Sequence, residues 1–219
     1  SRTDRKTALR DFRIAIHGGH MNYVEVKTEI NRYKNAYDAG MKADADAVMK
    51  ALCERTEALP QCERDGIYSA LLRDICDTGL FGFLADRGDG SIPFFLKSAL
   101  TKWLLPRCEA GRMPEMRWFY QINMNDGRQC ENAHLFLRRA FDSEAVDRRT
   151  YELIFEQNVR ALEYGLHELP AGLLMSDEEY RGLVSQCEQI ASKINVPESL
   201  SAMLCDCRKK YAQYRGATD

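Results

Sequence analysis

Apolar residues recur along this chain at spacings of three and four, and the clearest stripe lies in the C-terminal half. Tyr151, Phe155, Leu162, Leu166 and Leu169 step by 4, 7, 4 and 3 residues. At 3.6 residues per turn all five fall on one helical face. Two further stripes follow: Tyr180, Leu183, Val184, Cys187, Ile190, Ala191 and Ile194, then Leu200, Met203, Leu204, Cys207, Tyr211 and Tyr214. Ser176 with Glu179 three residues on predicts a capping box opening the first of these, and Pro197 suits the opening of the second.

The N-terminal half carries the same period. Tyr23, Val26, Ile30, Tyr33 and Tyr37 form a seam that Gly40 should stop. Ala45, Val48, Met49, Leu52 and Leu59 make the next stripe before Pro60, and Ile67, Leu71, Leu72 and Ile75 a third before Gly79. Pro93 suits a first helical turn, and Phe94, Phe95, Ala99, Leu100, Trp103 and Leu104 are expected to form an apolar face ending ahead of Pro106. A helix from about Glu115 to Met124 precedes the turn signal Asn125-Asp126-Gly127. Ala133, Phe136, Leu137, Ala140 and Phe141 mark another, and the long helix from Asp147 to Glu168 comes next.

Helices with one apolar face must bury it against other helices. The expected fold is therefore all-α, an irregular multi-helix bundle or solenoid-like stack of about nine helices. No consensus repeats at a fixed period. Residues 21–219 read as one helical domain, with an internal boundary placed at the glycine-rich stretch from Leu80 to Ser91.

The first twenty residues differ. Phe12-Arg13-Ile14-Ala15-Ile16 alternates apolar and polar side chains as an extended segment does. Gly18-Gly19-His20 then precedes Met21 like a short linker. Two readings stand: a native N-terminal arm over the helices, or a partner's segment joined by Gly-Gly-His to a body that starts at Met21. Both predict that Phe12, Ile14 and Ile16, with Arg10 beside them, dock into an apolar groove, at the high effective concentration a tether provides.

Composition narrows the function classes. The 219 residues are 45% hydrophobic, and thirty-one Lys and Arg meet thirty-three Asp and Glu for a formal net charge of −2. That balance gives no global field for nucleic acid or an anionic membrane. The first thirteen residues nonetheless hold five basic and two acidic side chains. No apolar run reaches the ~18 residues of a membrane helix, and the expectation is a cytoplasmic chain. Eight cysteines could number four disulfides, yet Cys187 and Cys207 fall within apolar helical stripes. Reduced, structural thiols are expected.

Candidate chemistry is sparse. Four histidines, at 17, 20, 134 and 167, leave few members for a triad or a metal site. Glu163 and His167 share a helical face without completing a ligand set, and Cys205-Asp206-Cys207 lacks zinc-knuckle spacing. Asp86-Arg87-Gly88-Asp89-Gly90-Ser91 lacks the alternate oxygens and terminal glutamate of a calcium loop. No phosphate-cradling or serine-nucleophile motif occurs. No cofactor is expected.

Trp118-Phe119-Tyr120, with Arg117 beside it and Asn123 one turn on, is the densest aromatic stretch. Three consecutive aromatics cannot all face one core, so at least one is expected at a groove, a second packing surface or solvent. Tyr164 and His167, near a helix end before Leu169-Pro170, form a second candidate patch. The sequence thus points to a protein- or peptide-binding helical module, of the adaptor, chaperone or inhibitor kind. Trp118, Tyr120, Asn123, Tyr164 and His167 are its groove candidates, and Arg10, Phe12, Ile14 and Ile16 its bound segment. The alternative is a helical enzyme or small-ligand protein with an internal pocket near Trp118 to Asn123 and His134 or His167.

Overall fold

A computed structural model describes residues 21–84 and 92–218. The N-terminal segment with Arg10, Phe12, Ile14, Ile16, His17 and His20, and the Asp86 to Ser91 loop, lie outside the described residues. Among the described residues there are nine α-helices, one 3-10 turn and no strand. The all-α expectation holds. The chain separates into two compact units, the first ending at Trp103 and the second beginning at Leu104.

The first unit opens with α1 (Tyr23–Asp38), whose Asn22 cap accepts hydrogen bonds from the backbone N–H groups of Val24 and Glu25 at 2.9 and 3.1 Å. Val26, Ile30, Tyr33 and Ala36 form its buried stripe. Gly40 stops it at φ +75°, a conformation that glycine enters without steric cost. Helix α2 (Lys42–Glu57) turns back along α1 and buries Ala45, Met49, Leu52 and Cys53. Pro60 precedes α3 (Gln61–Cys76), whose buried face is Ile67, Tyr68, Leu71, Leu72 and Ile75.

Side-chain bonds tie α3 to its neighbours. The Tyr23 hydroxyl donates to Asp74 at 2.7 Å, Lys27 lies 3.4 Å from the same carboxylate, and the Tyr68 hydroxyl donates to Glu57 at 2.7 Å. Burial and these carboxylates raise the pKa of both phenols. After Gly79 a 3-10 turn (Gly82–Leu84) lies against α3, with Phe81 and Leu84 buried. Helix α4 (Phe94–Glu109) then seats Trp103 edge-on to Tyr68, its indole N–H donating to Asp65 at 2.7 Å.

Two expectations for α4 require correction. Pro106 does not end it; the helix runs on to Glu109 and closes at Gly111, φ +73°. A proline in a last turn removes one backbone donor, and the bonds after it survive, as in Ala110 N–H to the Pro106 carbonyl at 3.2 Å. Nor do Phe94 and Phe95 join the buried face. That face is Leu96, Leu100, Trp103 and Leu104, while Phe94 is 77% and Phe95 37% exposed.

In the second unit α5 (Glu115–Asn123) pairs with α6 (Cys130–Phe141), and the 19-residue α7 (Arg148–Leu166) packs against α6, α8 (Asp177–Ala191) and α9 (Glu198–Thr218). Helix α7 is the spine of this unit. It buries Leu153, Ile154, Phe155, Val159, Leu162 and Leu166, each large apolar side chain contributing about 1.5–3 kcal/mol when fully removed from water. The predicted capping box is present: the Glu179 N–H donates to the Ser176 hydroxyl oxygen at 3.2 Å, and the Ser176 N–H to the Glu179 carboxylate at 2.7 Å.

Candidate functional site

Trp118, Phe119 and Tyr120 are all buried, together with Met116, Arg117, Ile122 and Asn123. Helix α5 is thus enclosed nearly all round, which resolves the three-aromatic problem by packing on more than one side. Phe119 meets Phe136 edge-on at 5.0 Å, and Tyr120 meets the His134 ring at 5.3 Å. His134 is also held through Nδ1 by the Gln157 side chain at 2.8 Å.

Arg117 anchors this interior electrostatically. Its Nε donates to Asp147 at 2.9 Å and its Nη1 to Gln121 at 2.8 Å, with only 4% of the side chain exposed. Asp147 is at the same time the N-cap of α7, accepting from the N–H and the hydroxyl of Thr150, each at 2.7 Å. One carboxylate therefore both neutralises a buried guanidinium and satisfies an orphan helix donor.

Tyr164 and His167 lie elsewhere, at the C-terminal end of α7, on the surface. Tyr164 is 68% exposed, and the two ring centres lie 5.1 Å apart with their planes tilted by 32°. His167 Nδ1 donates to the Tyr164 carbonyl at 2.6 Å, and Nε2 lies 2.8 Å from Glu168. The five candidates from sequence therefore fall into two groups, Trp118, Tyr120 and Asn123 in a packed interior and Tyr164 with His167 on an exposed helix end. Among the described residues no group of His, Cys, Asp and Glu is arranged to hold a metal ion. Cys205 is exposed and Cys207 buried, as opposite faces of α9 require.

The opening that sequence reasoning did not single out lies within the first unit, between α2 and α4. It is a groove of about 280 Å³ lined by Lys50, Cys53, Glu54 and Glu57 from α2, and Phe94, Phe95, Ser98, Ala99 and Lys102 from α4. Phe94 and Phe95 stand edge-to-face at 5.6 Å, and Lys50 Nζ sits 5.9 Å from the Phe95 ring centre. Cys53 contributes an apolar wall: burial, then the charges of Glu57 and Glu54, push its thiol up to about 12, which keeps it protonated and poorly nucleophilic. Lys50 lies 3.9 Å from Glu54, and Glu57 is fixed by Tyr68.

Chemically the groove offers an aromatic and aliphatic floor with two ammonium groups and two carboxylates around it. Such a surface can bury an apolar anchor and orient charges beside it. The sequence held the signal for the outward turn of Phe94 alone. Leu96, Leu100, Trp103 and Leu104 follow the 4, 3, 1 spacing of one face, and Phe94 stands about 200° around the helix from Leu96.

No protein-family model, curated protein or solved structure matches the chain. Among the described residues no helix is long and apolar enough to cross a membrane.

Proposed function

We propose that the chain is a protein-binding helical module that captures a short amphipathic segment in the α2–α4 groove. The single observation that carries this reading is Phe94, a phenylalanine 77% exposed beside a second aromatic at the edge of a groove. Leaving a large aromatic in water forgoes a stabilisation of about 1.5–3 kcal/mol that a partner can recover on docking. Lys50, Lys102, Glu54 and Glu57 around the aromatic floor would select the flanking charges of the partner.

The segment of residues 1–16 is the probe of choice. Phe12, Ile14 and Ile16 can serve as alternate anchors, and the basic residues Arg10 and Arg13 suit the carboxylates of Glu54 and Glu57. Calorimetric titration of a 1–16 peptide into the chain beginning at Met21, its helicity first checked by circular dichroism, tests the reading. Saturable binding that disappears with a Phe12→Ala/Ile14→Ala peptide supports it. Absence of heat and of binding at millimolar peptide overturns capture of this segment.

The alternative of an internal catalytic or ligand pocket has less to stand on. Of its members, Trp118, Tyr120 and Asn123 are packed and His134 is engaged by Gln157.

A further inference from the structure

We infer that the α2–α4 groove selects a segment carrying an aspartate or glutamate near its apolar anchor, and that Lys102 is the residue that reads this carboxylate. The inference rests on the proposed capture of a segment in that groove and adds the charge the segment must bring. How the groove's own charges are paired carries it. Lys50 lies 5.9 Å from the Phe95 ring centre and 3.9 Å from Glu54, so these two charges already face each other on one wall. Glu57 accepts the Tyr68 hydroxyl at 2.7 Å and lies 3.7 Å from Arg64, whose guanidinium also donates to the Glu57 carbonyl at 3.1 Å. Lys102 lines the same groove from α4 and is exposed, and among the described residues it has no hydrogen bond or ion pair. A basic residue of a partner must share a carboxylate that is already held. An acidic one meets an ammonium group that is not.

Helix geometry sets the spacing. Lys102 follows Phe95 by seven residues on α4, about two turns and roughly 10 Å along the axis. An anchor seated on Phe94 and Phe95 therefore has its matching carboxylate about seven residues away in a helical segment, or about three away in an extended one. In the segment of residues 1–16, Asp11 stands three residues before Ile14. Water reaches Lys102, so the pair adds little affinity. Its effect is discrimination, since a like charge brought to the same place is repelled.

The test uses the full chain carrying Phe12→Ala and Ile14→Ala, so that its own N-terminal residues do not compete. It is titrated calorimetrically at low salt with the 1–16 peptide and with the same peptide carrying Asp4→Asn and Asp11→Asn. The readout is the ratio of the two dissociation constants, which cancels the general attraction of a basic peptide. Lys102→Met should lower the preference for the aspartate peptide by about two- to fivefold, and Lys102→Glu should lower it further. Lys42→Met, which removes the same charge from an exposed position of α2 outside the groove, should leave the ratio unchanged. Circular dichroism should show all three variants folded alike. A ratio untouched by Lys102→Met, or lowered equally by Lys42→Met, overturns the inference; the docking site still stands in that case if Phe94→Ala weakens both peptides. Binding of neither peptide, or binding indifferent to Phe94→Ala, overturns the docking site and the inference together.

Discussion

Two aromatic clusters in this chain meet opposite fates. Trp118-Phe119-Tyr120 in α5 disappears into the interior of the second unit, while Phe94-Phe95 at the start of α4 stays in water in the first. By composition the longer run should have been the harder one to hide. What separates them is the rest of each helix. In α5 the guanidinium buried with the aromatics has partners, Arg117 donating to Asp147 and Gln121, so that charge can be enclosed on nearly every side without being left unpaired. In α4 the buried stripe is already filled by Leu96, Leu100, Trp103 and Leu104, which leaves Phe94 on the wrong side. Aromatic density reports how much apolar surface a segment carries; the filled stripe beside it reports which way that surface faces.

The sharpest way to break this contrast is Phe119→Ala. Phe119 is fully buried and edge-on to Phe136, so its truncation should cost about 3–5 kcal/mol in urea unfolding. Phe94→Ala should change stability by less than about 0.5 kcal/mol yet weaken the 1–16 peptide at least about tenfold, close to 1.4 kcal/mol. Equal losses of stability from the two substitutions would erase the distinction. Next in size, Asp147→Ala strips Arg117 of a partner and α7 of its cap together. About 2–4 kcal/mol is expected by denaturant unfolding, with Asp147→Asn recovering part of it by restoring the cap. A loss no larger than that of an ordinary surface substitution would remove Arg117 from the explanation of why α5 can be buried.

The smallest effect belongs to the capping box. Ser176→Ala should cost about 1 kcal/mol. The Ser176 N–H and hydroxyl, by donating to Glu179, lower that carboxyl's pKa in the folded state. A lowered folded value means a contribution that is complete above the unfolded carboxylate range and disappears as pH falls through the folded value. The Ser176→Ala variant should therefore lose less stability on acidification than the parent, read as melting temperature from pH 7 down to about pH 3. Parallel acid profiles would contradict the assignment.

Helix existence and many helix ends were legible because they depend on local chemistry. Gly40 and Gly79 adopt positive φ where a stop was expected, Ser176 and Glu179 cap as their spacing implied, and Asp147 opens α7 where the long stripe began. Pro106 was misleading since the rule against proline inside a helix weakens in the last turn, where few bonds remain to be lost. The α2–α4 groove was hidden because it joins residues about forty positions apart on two helices whose pairing no spacing encodes. Trp118 and Asn123 looked accessible because the partners that enclose them come from later helices. Phe94 alone could have been turned outward from sequence, by giving the Leu96 stripe priority over the aromatic pair.

Hydrogen–deuterium exchange of the chain beginning at Met21, with and without saturating 1–16 peptide, tests the central claim most directly. Slowed exchange confined to residues 47–58 of the α2 region and 94–102 of α4, absent in Phe94→Ala, is the predicted result. Protection centred instead on Tyr164 and His167 at the end of α7, or protection unchanged by loss of the Phe94 ring, would contradict it.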